Sequence, residues 1–210
     1  MIALYSSPGT AGMVVHWLLL ELEVPYTLQR LDLAAGEHKQ PAYLAVNPAG
    51  VVPAVVIDGQ PVCEAAAIAL HLADAYPARG FAPAIGTPAR AAYYRWMFFL
   101  ANTMQPAFRA WFYPTEPAGE AHVESVKVQA RSRIEGGWAL LDAHLAAHGP
   151  YLLGDQITTP DFMLTMLMRW SRNMARTATN WPTLARLATA MKARPSFKEL
   201  YAREGLTDWT

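Results

Sequence analysis

The chain has one cysteine, Cys63, in 210 residues. It cannot close a disulfide within the chain, and no Cys-x-x-Cys pair is present. Such cysteine usage fits a reducing compartment. Charge is also scarce. Charged residues make up 16% and the formal net charge is zero. No basic field exists to attract nucleic acid or an anionic membrane surface. Long apolar runs are missing too: the longest, Met13–Leu20, contains His16 and is too short to span a bilayer. Residues 1–5 lead straight into Ile2-Ala3-Leu4-Tyr5 without a basic segment, so a cytoplasmic protein without a secretory signal is expected. Repeats are absent, and the only compositional bias is a mild alanine excess.

What is present is apolar. A hydrophobic content of 53% belongs to a packed globular chain, long enough for one large or two small domains. The first third alternates strand and helix. Ile2–Tyr5 reads as a strand and Ser6–Thr10 as a turn. Residues 11–23 read as a helix, with Val14, Val15, Leu18 and Leu22 at helical spacing. Pro25 ends that helix and Tyr26–Leu33 is a second strand-like run. Two strands joined by a helix predict a right-handed βαβ unit. Ala54–Ile57 and Pro61–Cys63 flank Asp58-Gly59, a favoured type I′ pair, and Ala65–Tyr76 reads as a helix stopped by Pro77.

Residues 77–88 hold three prolines and two glycines and read as a linker. Thr87-Pro88 is a helix start. Beyond it the pattern is helical: residues 89–112, then 120–148 with a loosening expected at Gly136-Gly137. Thr158-Thr159-Pro160-Asp161 reads as a capping box, and Ser196–Glu199 as a second one.

The most informative stretch is Asn47-Pro48-Ala49-Gly50-Val51-Val52-Pro53. Pro53, directly before a strand, cannot be a central ladder residue. The cis form costs only about 0.5–1 kcal/mol at an X–Pro bond. A cis bond here turns the backbone of Val52 outward, where its N–H and C=O can pair with an extended peptide. The other reading is an ordinary proline-bounded strand.

Taken in order, three segments resemble the soluble glutathione S-transferase family: the Asn47–Pro53 run, Cys63-Glu64-Ala65-Ala66-Ala67-Ile68, and Tyr151-Leu152-Leu153-Gly154-Asp155 leading into the capping box. The resemblance covers nearly the whole chain. It implies a thioredoxin-like α/β domain over 1–78, a linker over 79–88 and an all-helical domain over 89–210. It also implies glutathione as co-substrate, no metal, and a homodimer.

The same resemblance implies site residues. Val52, after which Pro53 stands, would pair its backbone with the cysteinyl part of glutathione. Glu64 would hold the γ-glutamyl ammonium group, and N–H groups from Ala65 onward the carboxylate. The alternative is a plain helix-starting acid favoured by the dipole, but the surrounding pattern favours the ligand role. The family usually has Ser or Thr where Ala65 stands, so one hydroxyl contact is lost. His38 and Lys39 match a region that binds the glycyl carboxylate, though a solvated loop explains them as well.

For thiol activation the hydroxyls of the first turn are available. Thr10 is the first candidate and Ser7 the second, against the alternative that both are ordinary turn and cap residues. Places that hold Cys and Ser in some bacterial classes hold Ala11 and Gly12 here. An electrophile pocket is expected between the domains, against the long helix after the linker. Gln105, Phe108, Trp111 and Phe112 are its available lining, although helical aromatic stripes are more often core.

The leading expectation is an enzyme joining glutathione to small hydrophobic electrophiles, as in detoxification. The alternatives are a glutathione-dependent peroxidase or disulfide reductase, and a non-catalytic binding protein of the same fold.

Overall fold

The computed structural model describes residues 1–210. They form two compact units: Met1–Ala82 with Lys192–Thr210, and Pro83–Met191. In the first unit, β1 (Ile2–Ser6), α1 (Gly12–Leu22) and β2 (Tyr26–Arg30) make the expected parallel βαβ unit. A short α2 (Pro41–Leu44) precedes β3 (Ala54–Ile57), which runs antiparallel to β1. β4 (Gln60–Cys63) pairs antiparallel to β3, giving the order β2-β1-β3-β4, and α3 (Ala65–Ala75) follows. Asp58 and Gly59 both have positive φ, 48° and 84°, as a type I′ hairpin requires.

The second unit is helical. α4 (Pro88–Phe99) starts on Thr87, whose hydroxyl accepts the Arg90 N–H at 3.2 Å. It passes through a π turn, Leu100–Met104, into α5 (Gln105–Phe112). The unbroken α-helix expected here is interrupted because Pro106 has no N–H for the carbonyl four residues back. The wider turn before it absorbs that loss. α6 (Val123–His148) runs through Gly136-Gly137 without loosening. A Cβ on Gly137 would lie 2.0 Å from Met104 Sδ, so that glycine serves a close helix approach. α7 (Thr159–Trp170) is buried from Thr159 to Arg169, and α8 (Pro182–Lys192) follows. No helix is long and apolar enough to cross a membrane.

α9 (Pro195–Glu204) packs with the first unit, although it lies within the 89–210 stretch that the family resemblance implied as the helical domain. The reason lies in α1. Met13, Val14, Val15, Trp17, Leu18 and Leu19 are all buried, and a helix apolar on every side needs cover on every side. The α9 segment supplies part of that cover. Trp17 packs on Phe197 with ring centroids 5.1 Å apart and donates from Nε1 to Ser196 Oγ at 2.9 Å. Arg194 reaches Glu21 with two parallel donors at 2.5 and 2.6 Å. The expected second capping box is therefore not one. The helix starts at Pro195 with Arg194 as N-cap, and the Ser196 hydroxyl is directed at Glu21.

The first capping box is present and carries a buried acid. Asp161 accepts the Thr158 N–H at 2.8 Å and the Thr158 hydroxyl at 3.0 Å. Its other oxygen accepts the Leu152 N–H at 2.9 Å. Burial pushes its carboxyl up to about 6 against the opposing pull of those hydrogen bonds. The folded protein thus binds this proton more tightly than the unfolded chain. The resulting stabilisation is complete below the ordinary value of 3.8 and disappears as pH rises through about 6. The urea midpoint of wild type relative to Asp161→Asn should accordingly fall between about pH 4 and pH 6, then level off. A difference that stays constant over that range would mean Asp161 ionises like an exposed carboxylate.

Candidate functional site

Strand register gathers the first unit's functional residues at one end of the sheet. Tyr5 pairs with Ala54, and Ala54 with Cys63. The turn after β1, the loop before β3 and the exit from β4 therefore emerge side by side, on strands about 5 Å apart. Ser6 pairs with Arg30, so the segment after β2, which carries His38 and Lys39, leaves from the same end.

The loop before β3 is built to hold its backbone still. The Val51 carbonyl accepts from Tyr43 Oη at 2.6 Å and from Asn47 Nδ2 at 2.7 Å. Asn47 Oδ1 accepts the Ala49 N–H at 3.1 Å. Lys39 Nζ donates to the Gly50 carbonyl at 2.7 Å. Tyr43 and Asn47 are themselves buried. The Val52–Pro53 peptide is cis, and Pro53 is buried. Val52 is half-buried, and its N–H and C=O make no hydrogen bond within the chain.

The exit from β4 is the second feature. Glu64 is exposed, and its carboxylate makes no hydrogen bond or ion pair within the chain, although its carbonyl accepts the Ile68 N–H at 2.9 Å. It sits at φ 69°, ψ 113°, a left-handed region that costs a non-glycine residue on the order of 1 kcal/mol or more. As N-cap of α3 it gives that helix no side-chain cap, so the first-turn N–H groups of Ala65, Ala66 and Ala67 remain open. The Cys63 thiol is pushed up by burial and by the neighbouring Glu64 charge, so it stays protonated at neutral pH.

The turn after β1 separates the two candidate hydroxyls. Thr10 Oγ1 donates to the Ser7 carbonyl at 2.6 Å and accepts the Gly12 N–H at 3.3 Å. Its single hydrogen is engaged in closing the turn. Ser7 is half-buried, and its hydroxyl has no partner in the chain. Ser6 is buried so close to the start of α1 that a Cβ on Gly12 would lie 1.8 Å from Ser6 Oγ. That contact explains glycine at the place where a serine would otherwise fit. Gly9, φ 72°, donates its N–H to Glu204 Oε2 at 2.8 Å.

Other expected residues divide. Lys39 directs its ammonium group at loop carbonyls, while His38 keeps Nδ1 buried with no partner. In the helical unit Phe108 is fully buried against Trp138 and Trp170 at 5.9 and 5.8 Å, which corrects its place in a pocket lining: it is core. Gln105 and Trp111 are half-buried, and Phe112 is 46% exposed. No group of three or more His, Cys, Asp or Glu residues is arranged to hold a metal ion. Glu204, His16, Tyr43 and Asn47 were not singled out from sequence. Asn47 had a signal, being an Asx residue opening a turn, whereas the contacts of Glu204 lie 188 and 195 residues away.

Comparison with known proteins agrees with this geometry. The family model for the glutathione S-transferase N-terminal domain matches residues 1–74, and that for the C-terminal domain matches residues 101–204. Glutathione S-transferase GST-4.5 of Xanthomonas campestris pv. campestris is 32% identical over 169 residues, 80% of this chain and 81% of its own. Glutathione S-transferase GstA of Escherichia coli O157:H7 is 27% identical over 206 residues, 97% of this chain and 98% of its own. A glutathione transferase homologue from Sulfitobacter, solved with bound glutathione, superposes with a TM-score of 0.90 at 27% identity, covering 99% of each chain. With both halves of the fold matched in order, the chain belongs to the glutathione S-transferase family.

Proposed function

We propose that the protein binds glutathione at this end of the sheet and presents its thiolate to small hydrophobic electrophiles. The observation that carries the reading is the unpaired backbone of Val52, at the same end of the sheet as an uncommitted Glu64 carboxylate and an open helix N-terminus. A tripeptide with an ammonium group, a carboxylate and a central cysteine matches those three features. Val52 N–H and C=O would pair with the cysteinyl backbone as an added strand. Glu64 would take the γ-glutamyl ammonium group. The N–H groups from Ala65 onward would take the adjacent carboxylate, favoured by the helix dipole. His38 would serve the glycyl end only after its ring turns, because Nδ1 is buried within the chain, and Lys39 acts mainly through the loop it ties down.

Ser7 is the hydroxyl with a hydrogen to give, so it replaces Thr10 as first choice for the thiolate contact. Its O–H and the N-terminus of α1 both favour the sulfur anion. In the conjugation step the thiolate electron pair forms a carbon–sulfur bond, the leaving group departs with its own pair, and the thiol proton has already passed to solvent. The half-buried Gln105 and Trp111 and the exposed Phe112 offer the helical unit's surface for an apolar electrophile.

Calorimetric titration of glutathione, followed by thiolate absorbance against pH in the complex, tests the reading. Binding with a thiol pKa well below the ordinary value of about 8.5 supports it. Binding without that shift favours a carrier, and no binding at millimolar glutathione sinks it. Glu64→Ala should raise the glutathione Kd by roughly tenfold or more, because a buried ammonium group loses its counter-charge. Ser7→Ala should raise the thiol pKa of the complex by about 1–2 and lower kcat with it, leaving Kd nearly unchanged. Thr10→Ala producing the larger rise would reverse the assignment. Asn47→Ala should raise Kd several-fold while Glu64 is intact. An unchanged Kd would mean that the loop holds its shape without the two bonds to Val51 and Ala49.

A further inference from the structure

Glu204 is a buried carboxylate that ends α9, only 5% exposed. This is a poor place for an acid. Burial removes its hydration, and the C-terminal end of a helix carries negative partial charge. Both penalties are met by specific donors. Oε2 accepts the Gly9 N–H at 2.8 Å, and Oε1 lies 2.9 Å from His16 Nδ1. His16 is fully buried, and its Nε2 lies 2.7 Å from Tyr26 Oη. Arg203 Nη1 donates to that same oxygen at 3.1 Å, and Arg203 Nε to Glu199 at 2.6 Å. A carboxylate can only accept, so the proton of a neutral His16 is assigned to Nδ1, facing Glu204, and Tyr26, which accepts from Arg203, then gives its own hydrogen to Nε2.

One chain of contacts thus runs from the surface pair Glu199–Arg203, through Tyr26 and His16, to Glu204 and the backbone of Gly9. Gly9 lies between Ser7 and Thr10 in the turn that opens α1. Its N–H is the only backbone donor on the Glu204 carboxylate, and its φ of 72° makes it the most pliable point of that turn.

We propose that Glu204 is a positioning residue that fixes the turn after β1 through Gly9, and so sets where the Ser7 hydroxyl meets the glutathione sulfur. This rests on the function proposed above. Glu204 touches no substrate. It acts through the turn, whereas Val52 and Glu64 hold the ligand without it.

The test compares Glu204→Ala, Glu204→Asp and Glu204→Gln in the full chain. In Glu204→Ala the Gly9 amide should lose its protection from hydrogen exchange. The thiol pKa of bound glutathione should rise, and kcat should fall roughly tenfold to a hundredfold. Glutathione Kd should change less than about threefold, since the groups binding the peptide are untouched. Glu204→Asp, one methylene too short to reach Gly9 while holding His16, should behave the same way and serves if the alanine variant does not fold. Glu204→Gln should recover most of the activity. Its amide oxygen can accept from Gly9, and its NH2 can donate to Nδ1 once the His16 proton moves to Nε2. Wild-type thiol pKa and kcat in folded Glu204→Ala or Glu204→Asp would overturn the proposal, as would unchanged exchange at Gly9. If wild-type protein fails to bind glutathione, the functional reading falls, and the exchange at Gly9 alone decides the claim about the turn.

Discussion

The Val51 carbonyl accepts two side-chain hydrogen bonds, and the proposed function of the first unit depends on that pair. Backbone polar groups at the end of a sheet are normally paired, because leaving them partly buried and unpaired is unfavourable. A free loop would relax until Val52 found a partner in its own chain. Tyr43 and Asn47 prevent this by fixing the carbonyl next to it, and Lys39 fixes the one before. The unsatisfied groups of Val52 are thus a maintained feature. On the proposed function they are the groups that would meet an extended stretch of peptide backbone.

Two buried acids show what a sequence displays and what it hides. Asp161 is three residues from Thr158 and nine from Leu152, so its cap is written in one short stretch and was read there. Glu204 performs a similar task, accepting a backbone N–H where a helix begins, but its partner lies 195 residues away. Nothing near Glu204 marks it. An acid in the last turn of an exposed helix would look like a solvated residue, and only the packing of α9 on α1 makes it buried.

The same physical division runs through the rest of the fold. Elements set by local chemistry were legible: the βαβ unit, the Asp58-Gly59 hairpin, and the Asn47–Pro53 loop with its proline. Misread features turn on contacts made at a distance. Ser196 has the spacing of a cap, but Pro195 starts the helix first and Glu21 takes the hydroxyl. Phe108 stands in a run of exposed-looking aromatics, but two tryptophans from other helices enclose it. Thr10 and Ser7 are indistinguishable as residue types in a turn; in the structure the Thr10 hydroxyl is engaged by the Ser7 carbonyl, while the Ser7 hydroxyl has no partner in the chain.

Glu64, the residue proposed to take the ligand's ammonium group, also bears on the chain's only thiol. Burial already disfavours the Cys63 thiolate, and the adjacent carboxylate adds to it. The charge suited to an incoming ammonium group therefore also keeps the protein's own sulfur protonated. No second cysteine exists to resolve a mixed disulfide. On the proposed function the reacting sulfur is therefore the ligand's thiol. The turn that carries the proposed activating hydroxyl, just before α1, is tied to a carboxylate at the far end of the sequence, Glu204 on the Gly9 N–H.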